Sequence, residues 1–313
     1  MRNVIDNFAF GNRYDWSDPF TIVIDTRNTI VGGSDVNSFF LPQSPDIQNS
    51  SISFLVDWGD GQFSRINSRT EAEIPHVYQT PGIYIVNFYK RRGNFELRPN
   101  YRITPNERNK LLKILRWGSF NNTNSCFRYC INLDLSEVED KFIGIGEAEY
   151  NFANTSVIKF KNLSNIIFTG GKVERIFQSC IYFNDDFTLN VTNATNILAI
   201  LEGCVSFNKT VIINAPQVTS LAGFFRGCTN FNKPVHYIGV DWTKIESLNN
   251  FMTGKTSANY NAIYYDNLLI ALDNAGRSDV PLGMGSIKHT SEGLAAKNNL
   301  IAKGWTITDG GII

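Results

Sequence analysis

Positive charge is nowhere concentrated in this chain. Beyond Lys90-Arg91-Arg92 there is no basic block, and 29 Lys and Arg balance 29 Asp and Glu to a formal net charge of zero. A nucleic-acid partner needs a basic stripe to displace phosphate counterions, so no such partner is expected. Long apolar runs are also missing. No stretch approaches the ~18 consecutive apolar residues that read as a membrane-crossing helix. The amino end, Met1 to Phe8, lacks the apolar core of a secretory signal. A chain that opens on Met1 without one is expected to be assembled inside a cell rather than exported.

Groups that carry chemistry are equally sparse. The three histidines, His76, His236 and His289, are too scattered to form a catalytic set. Cysteine occurs five times, an odd number. Cys126 and Cys130 have a C-x3-C spacing, but no second pair or nearby histidine completes a zinc set. Gly254-Lys255-Thr256 ends like a phosphate-binding loop, yet Asn249 stands where the first glycine is required. Gly144-Ile145-Gly146 lacks the third glycine of a dinucleotide fingerprint. Asp185-Asp186 reads as a solvated loop pair, and the Asn-x-Ser/Thr triplets follow from an asparagine-rich composition. No catalytic residue, cofactor or enzyme activity is expected. The 42% apolar and 19% charged fractions do describe a folded chain with a substantial core.

What is abundant is a repeat. Phe127, Phe152, Phe177, Leu201, Phe225 and Met252 recur every 24 to 27 residues. Three residues after each comes Cys130, Thr155, Cys180, Cys204, Cys228 and then Lys255. A fixed period of this length marks stacked structural units with a shared core, a solenoid. The cysteines then read as compact buried hydrophobes rather than ligands or disulfides. Apolar residues before each marker fall at helical steps, as in Val173, Ile176 and Phe177 or Val218, Leu221, Phe224 and Phe225, which predicts a short helical segment. Phe183-Asn184, Phe207-Asn208 and Phe231-Asn232 follow the cysteines, and strands such as Phe187–Val191 come next. The asparagines are expected either to bond their own turn or to ladder along the axis. Lys255 is expected where stacking stops and water begins.

Upstream of the repeats, residues 18–104 predict an all-β domain, with strands at Phe20–Asp25, Ile52–Asp57 and Tyr84–Phe88. Asp57-Trp58-Gly59-Asp60-Gly61 is a turn whose glycines permit positive φ and whose aspartates can bond nearby N–H groups. Asp57 and Asp60 also form a minor candidate for calcium, with no other metal ligands expected. Residues 1–17 form an arm whose aromatics Phe8, Phe10, Tyr14 and Trp16 are costly to leave in water. They are expected to dock on this protein or a partner, or to extend the next domain as an edge strand. Residues 261–313 predict a cap: a helix through Tyr264, Tyr265, Leu268, Leu269 and Leu272, a second capped by Ser291 and ended by Gly304, then a strand from Trp305.

Two resemblances follow from these motifs. Trp58-Gly59-Asp60-Gly61, His76-x-Tyr78, Pro81-Gly82 and Tyr84-x-Val86 stand in the order of the PKD domain, which implies an immunoglobulin-like β-sandwich and a structural hydrogen bond at His76. Phe225, Cys228, Phe231 and Asn232, then the turns of Leu201 and Phe177, resemble the BspA-like repeats, relatives of leucine-rich repeats found in bacterial surface proteins and phage particles. The first two turns lack the Phe-Asn pair and match by spacing alone. Together they imply a multidomain, β-rich chain: the arm, the sandwich, an α/β repeat solenoid over 105–260 and the cap. They also imply a non-enzymatic structural or adhesive part of a bacteriophage virion, oligomeric within its assembly, that binds other virion proteins and a host-surface protein or glycan. The alternative is an exported bacterial cell-surface adhesin that binds a host protein or glycan; a secreted hydrolase, a class that PKD-like domains often accompany, lacks any nucleophile, metal or paired-carboxylate set in this sequence.

Overall fold

The computed structural model describes residues 14–29, 35–41, 53–68, 75–92, 105–118, 127–138, 140–144, 147–156 and 166–313. The chain is strand-rich, with several sheets and, among the described residues, no barrel. It divides into two compact units: the first holds 1–122, 126–141 and 160–162, and the second holds the rest.

In the first unit the strands are β1 (Phe20–Asp25), β2 (Ser38–Phe39), β3 (Ser53–Asp57), β4 (Phe63–Ile66), β5 (His76–Val77), β6 (Ile83–Arg92) and β7 (Leu111–Arg116). Five of them form one antiparallel sheet in the order β4-β3-β6-β1-β7, and β2 pairs with β5. All of β1 is buried, with Phe20, Ile22 and Ile24 meeting Phe88, Val86 and Tyr84 across the register. The sheet reaches past residue 104. Helix α1 (Pro105–Lys110) leads into β7, whose Leu111 and Ile114 are buried beside β1. Lys110 is fully buried, and its ammonium is held by Glu107 and by the carbonyls of Asp35 and Ser38. A charge taken out of water needs such a complete set of partners. The first repeat, with Phe127 and Cys130, belongs to this unit: Asp134 bridges Lys113 of β7 in parallel.

The second unit contains β8 (Ile143–Gly144), β9 (Ala148–Glu149), β10 (Ile166–Phe168), β11 (Lys172–Glu174), β12 (Phe187–Asn190), β13 (Asn196–Leu198), β14 (Val211–Asn214), β15 (Val235–Ile238), β16 (Pro281–Gly283) and β17 (Thr306–Thr308). It also holds helices α2 (Ala262–Ala275) and α3 (Ser291–Ala302). Three coils supply one strand to each of two parallel ladders, β15-β14-β12-β10-β8 and β13-β11-β9, and the coils of β14 and β15 join the second only through isolated bridges at Ser220 and Ser247. Phe187, Val211 and Val235 are register partners in three successive coils.

Among the described residues of these coils, the helical segment predicted before each marker is absent; strands and tight turns take its place. The reason is backbone handedness. Arg175, Ala199 and Gly223 occupy one column with φ of 53°, 51° and 64°, and Ser179, Gly203 and Gly227 occupy another with φ of 57°, 75° and 72°. A left-handed residue every fourth position stops a helix from propagating. Alternate backbone N–H groups therefore bond the next coil, Phe177 N to Ile200 O at 2.9 Å, Leu201 N to Phe224 O at 3.0 Å and Phe225 N to Phe251 O at 2.9 Å, while those between them close turns in their own coil, as Gln178 N to Arg175 O and Cys180 N to Phe177 O.

Aromatic rings fill the interior. Phe183, Phe207 and Phe231 stack with centroids 5.7 and 5.6 Å apart, and Phe177 and Phe225 lie flat against the first and third of them. The asparagines form a ladder. Asn184 Oδ1 accepts from Asn208 N, Asn208 Oδ1 from Asn232 N and Asn232 Oδ1 from Asn261 N, each at 2.9 Å. Tyr260-Asn261 is thus a fourth aromatic–asparagine pair, and the Asn261 side chain also caps α2.

Stacking continues beyond Lys255, contrary to the sequence expectation. Leu248 bridges Leu282, Met252 N bonds Gly283 O, β16 pairs with β17, and Thr256 bridges Ser286. Gly283 has to be glycine, because a Cβ there would stand 2.5 Å from Asn250 N. In α2, Tyr265, Leu268, Leu269 and Leu272 are buried as predicted. The cap of α3 is Thr290 rather than Ser291, since Thr290 accepts from Glu292 N. Leu300 is buried, whereas Leu294 and Ile301 are exposed.

Candidate functional site

The turn of the first unit is a tightly bonded aromatic cluster. The Trp58 and His76 rings stack at 4.5 Å with a 4° interplanar angle, and Tyr78 meets His76 edge-on. Asp60 Oδ2 lies 2.8 Å from His76 Nε2, and the Tyr78 hydroxyl donates to Trp58 O. Asp57 and Asp60 also accept from Gly59 N and Gln62 N. Both carboxylates therefore bond their own turn, and among the described residues no cluster of three metal-ligand side chains is found. Gly82 N donates to Thr26 Oγ1, which seats the Pro81-Gly82 turn beside the end of β1.

Of the arm, Phe8 and Phe10 lie outside the described residues. Tyr14 and Trp16 dock on their own unit: Trp16 packs 4.6 Å from the Tyr89 ring, and Asp15 N donates to Lys90 O.

The cysteines line the interior in neighbouring coils. Cys180, Cys204 and Cys228 each donate from Sγ, at 2.9 Å, to the marker carbonyl of the preceding coil: Phe152, Phe177 and Leu201. Burial pushes the Cys180 thiol up to about 11 and the Cys228 thiol up to about 12, and raises Cys204 as well. Thiolate, not thiol, is the reactive species. With Cys126 changed to serine, the native protein is expected to leave Ellman's reagent unreacted, and the four described thiols should titrate only in denaturant. Rapid labelling of a native thiol at neutral pH would contradict this packing.

Lys255 stands in the same column and is also buried, at 1% exposure. Its ammonium reaches the carbonyls of Thr229 and Asn259. Desolvation brings its pKa down to about 8 from 10.5. Below pH 8 both the folded and unfolded chains carry the proton, and the penalty on folding is full. As pH climbs from 8 towards 10.5 only the unfolded chain stays protonated, so this group's contribution to stability rises. We expect wild type to gain roughly 1–2 kcal/mol relative to Lys255→Met between about pH 7 and about pH 10. Urea midpoints at the two pH values measure it, and a constant difference between the two proteins would sink the expectation.

Two further groupings had no sequence signal. One is a polar network: the Tyr265 hydroxyl donates to Asp309 at 2.7 Å, Lys297 donates to Asp309 at 2.8 Å, and His289 Nδ1 donates to Thr290 O at 2.9 Å. Burial pushes the Asp309 carboxyl up, but its bonds to Lys297 and Tyr265 prevail and hold it below the usual range. The other is an open recess of about 160 Å³ between β15 and α2, walled by Tyr237, Trp242, Tyr260 and Tyr264. These rings come from three separate segments, so no local motif announces them. His236 lies on the same strand but is exposed.

Among the described residues, no helix is long and apolar enough to cross a membrane. No family model, curated protein or solved structure matches the chain.

Proposed function

We propose that this chain is a non-enzymatic structural and adhesive component of a bacteriophage virion, a head or tail fibre or a surface decoration. In this reading the first unit is a PKD-like, immunoglobulin-like sandwich that holds the protein to other virion proteins. The repeated coils are a BspA-like, leucine-rich-repeat-related solenoid that offers a binding face to the host surface. The observation that carries the reading is the register of the coils, in which thiol, aromatic and asparagine positions superpose from one coil to the next. Stacked coils spend their interior on packing and leave a broad outer surface for recognition. Their thiols donate to carbonyls instead of serving as nucleophiles. On the first unit, Ile83 and Ile85 leave apolar side chains exposed on one face of β6, an attachment surface that suits a partner within an assembly.

The test is the composition of purified particles. Gradient-banded virions should contain the chain at a fixed stoichiometry, and crosslinking followed by mass spectrometry should join first-unit residues to other virion proteins. A chain that fractionates with the bacterial envelope and never with particles would favour the adhesin instead.

A further inference from the structure

The parallel ladder ends at β15, and among the described residues no strand pairs with its outer edge. Helix α2 follows, and the recess lies between them. About 160 Å³ is close to the ~150 Å³ cavity that holds one benzene ring, so the space suits a single ring rather than a chain. No charged side chain lines it. An anionic ligand would therefore be desolvated there without a partner.

The walls distinguish among uncharged rings. Trp242 meets Tyr237 edge-on at 4.8 Å, and Tyr264 meets Tyr260 edge-on at 5.9 Å, so ring faces and edges both border the space. The hydroxyls of Tyr237, Tyr260 and Tyr264, the Trp242 indole N–H and the Asn267 carboxamide make no hydrogen bond to any described residue. The phenols lie close together: besides burial, Tyr260 raises Tyr237 and Tyr264 raises Tyr260. A benzenoid group would set these polar groups against an apolar surface. A pyranose ring has an apolar C–H face to lie on an aromatic ring and a rim of hydroxyls to meet donors and acceptors.

We infer that the recess between β15 and α2 is a binding site for one neutral hexose unit of a glycan. This deepens the adhesive reading and rests on it only for where the sugar comes from. Particles that contain the chain, together with a chain that binds no sugar, would sink the present inference and leave the virion reading intact.

The experiment titrates the full chain separately with methyl glucoside, methyl galactoside, methyl mannoside, glucuronic acid and benzyl alcohol, followed by saturation-transfer NMR. At least one neutral glycoside should saturate with a dissociation constant on the order of 1 mM. Tyr237→Phe and Tyr264→Phe, which each remove a single oxygen and leave the ring packing in place, should weaken it roughly 2- to 10-fold each with unchanged melting. Trp242→Ala should abolish the response. The inference is overturned if no neutral glycoside saturates, if benzyl alcohol or glucuronic acid binds more tightly than all of them, or if the two Tyr→Phe variants bind like wild type.

Discussion

Phe207→Ala is expected to remove about 3–5 kcal/mol from the stability of the second unit, the usual cost of deleting a fully buried phenylalanine. The upper half of that range is the better expectation here. Phe207 stacks on Phe183 on one side and Phe231 on the other, so truncation opens a gap between two rings instead of at a margin. The surrounding backbone cannot collapse to fill it, because Asn208 on the adjoining turn is fixed from both sides by Asn184 and Asn232. Phe207→Leu should recover about half of the loss, since volume returns without the ring stacking. Hydrogen exchange at Asn208 and Asn232 gives a local readout, and protection should fall at both. Wild-type protection in Phe207→Ala would mean that the stacked column does not hold the coils in register.

Much of this column could be read from residues alone, for a physical reason. Each coil must present the same side chain at the same height, so a buried position repeats along the chain at the coil length. Phe177, Leu201, Phe225 and Met252 kept that spacing, as did Cys180, Cys204 and Cys228. Legibility failed where the period was stretched. Tyr260-Asn261 was missed as a rung because a short 3-10 turn, Ser257–Asn259, lengthens the coil before it. The coils of β16 and β17 were read only as a cap, because α2 separates β16 from β15 and α3 separates β17 from β16. The predicted helices failed for a different reason: non-glycine residues such as Arg175, Ser179 and Ala199 hold left-handed conformations. Tertiary stacking imposes these against local preference, so composition does not reveal them. The recess was illegible because Tyr237, Trp242, Tyr260 and Tyr264 converge from three segments with no common spacing. In the first unit, the Trp58–His76–Tyr78 cluster was marked by its turn glycines, whereas the place of β7 beside β1 depends on a long-range pairing with no local signature.

That turn supports the second large prediction, which comes as a matched pair. Gly59 and Gly61 both have positive φ, 80° and 89°. Alanine at either position carries the left-handed penalty of about 1–2 kcal/mol. Their surroundings differ. A Cβ on Gly61 meets nothing within 4 Å, whereas one on Gly59 would overlap the Ile85 carbonyl oxygen and stand 3.2 Å from Ile85 N and C. Ile85 is backbone in the middle of β6, paired with Val23, so it cannot step aside as a flexible side chain would. Gly61→Ala is therefore expected to cost about 1–2 kcal/mol and Gly59→Ala about 3–5 kcal/mol, the excess being overpacking against the strand. Relief of that overlap must move Trp58, whose carbonyl accepts from Tyr78 and whose ring lies on His76. The near-ultraviolet circular dichroism of the aromatic cluster should accordingly change in Gly59→Ala and stay native in Gly61→Ala. Equal losses in the two variants would show that conformational strain alone explains these glycines and that the turn does not press on β6.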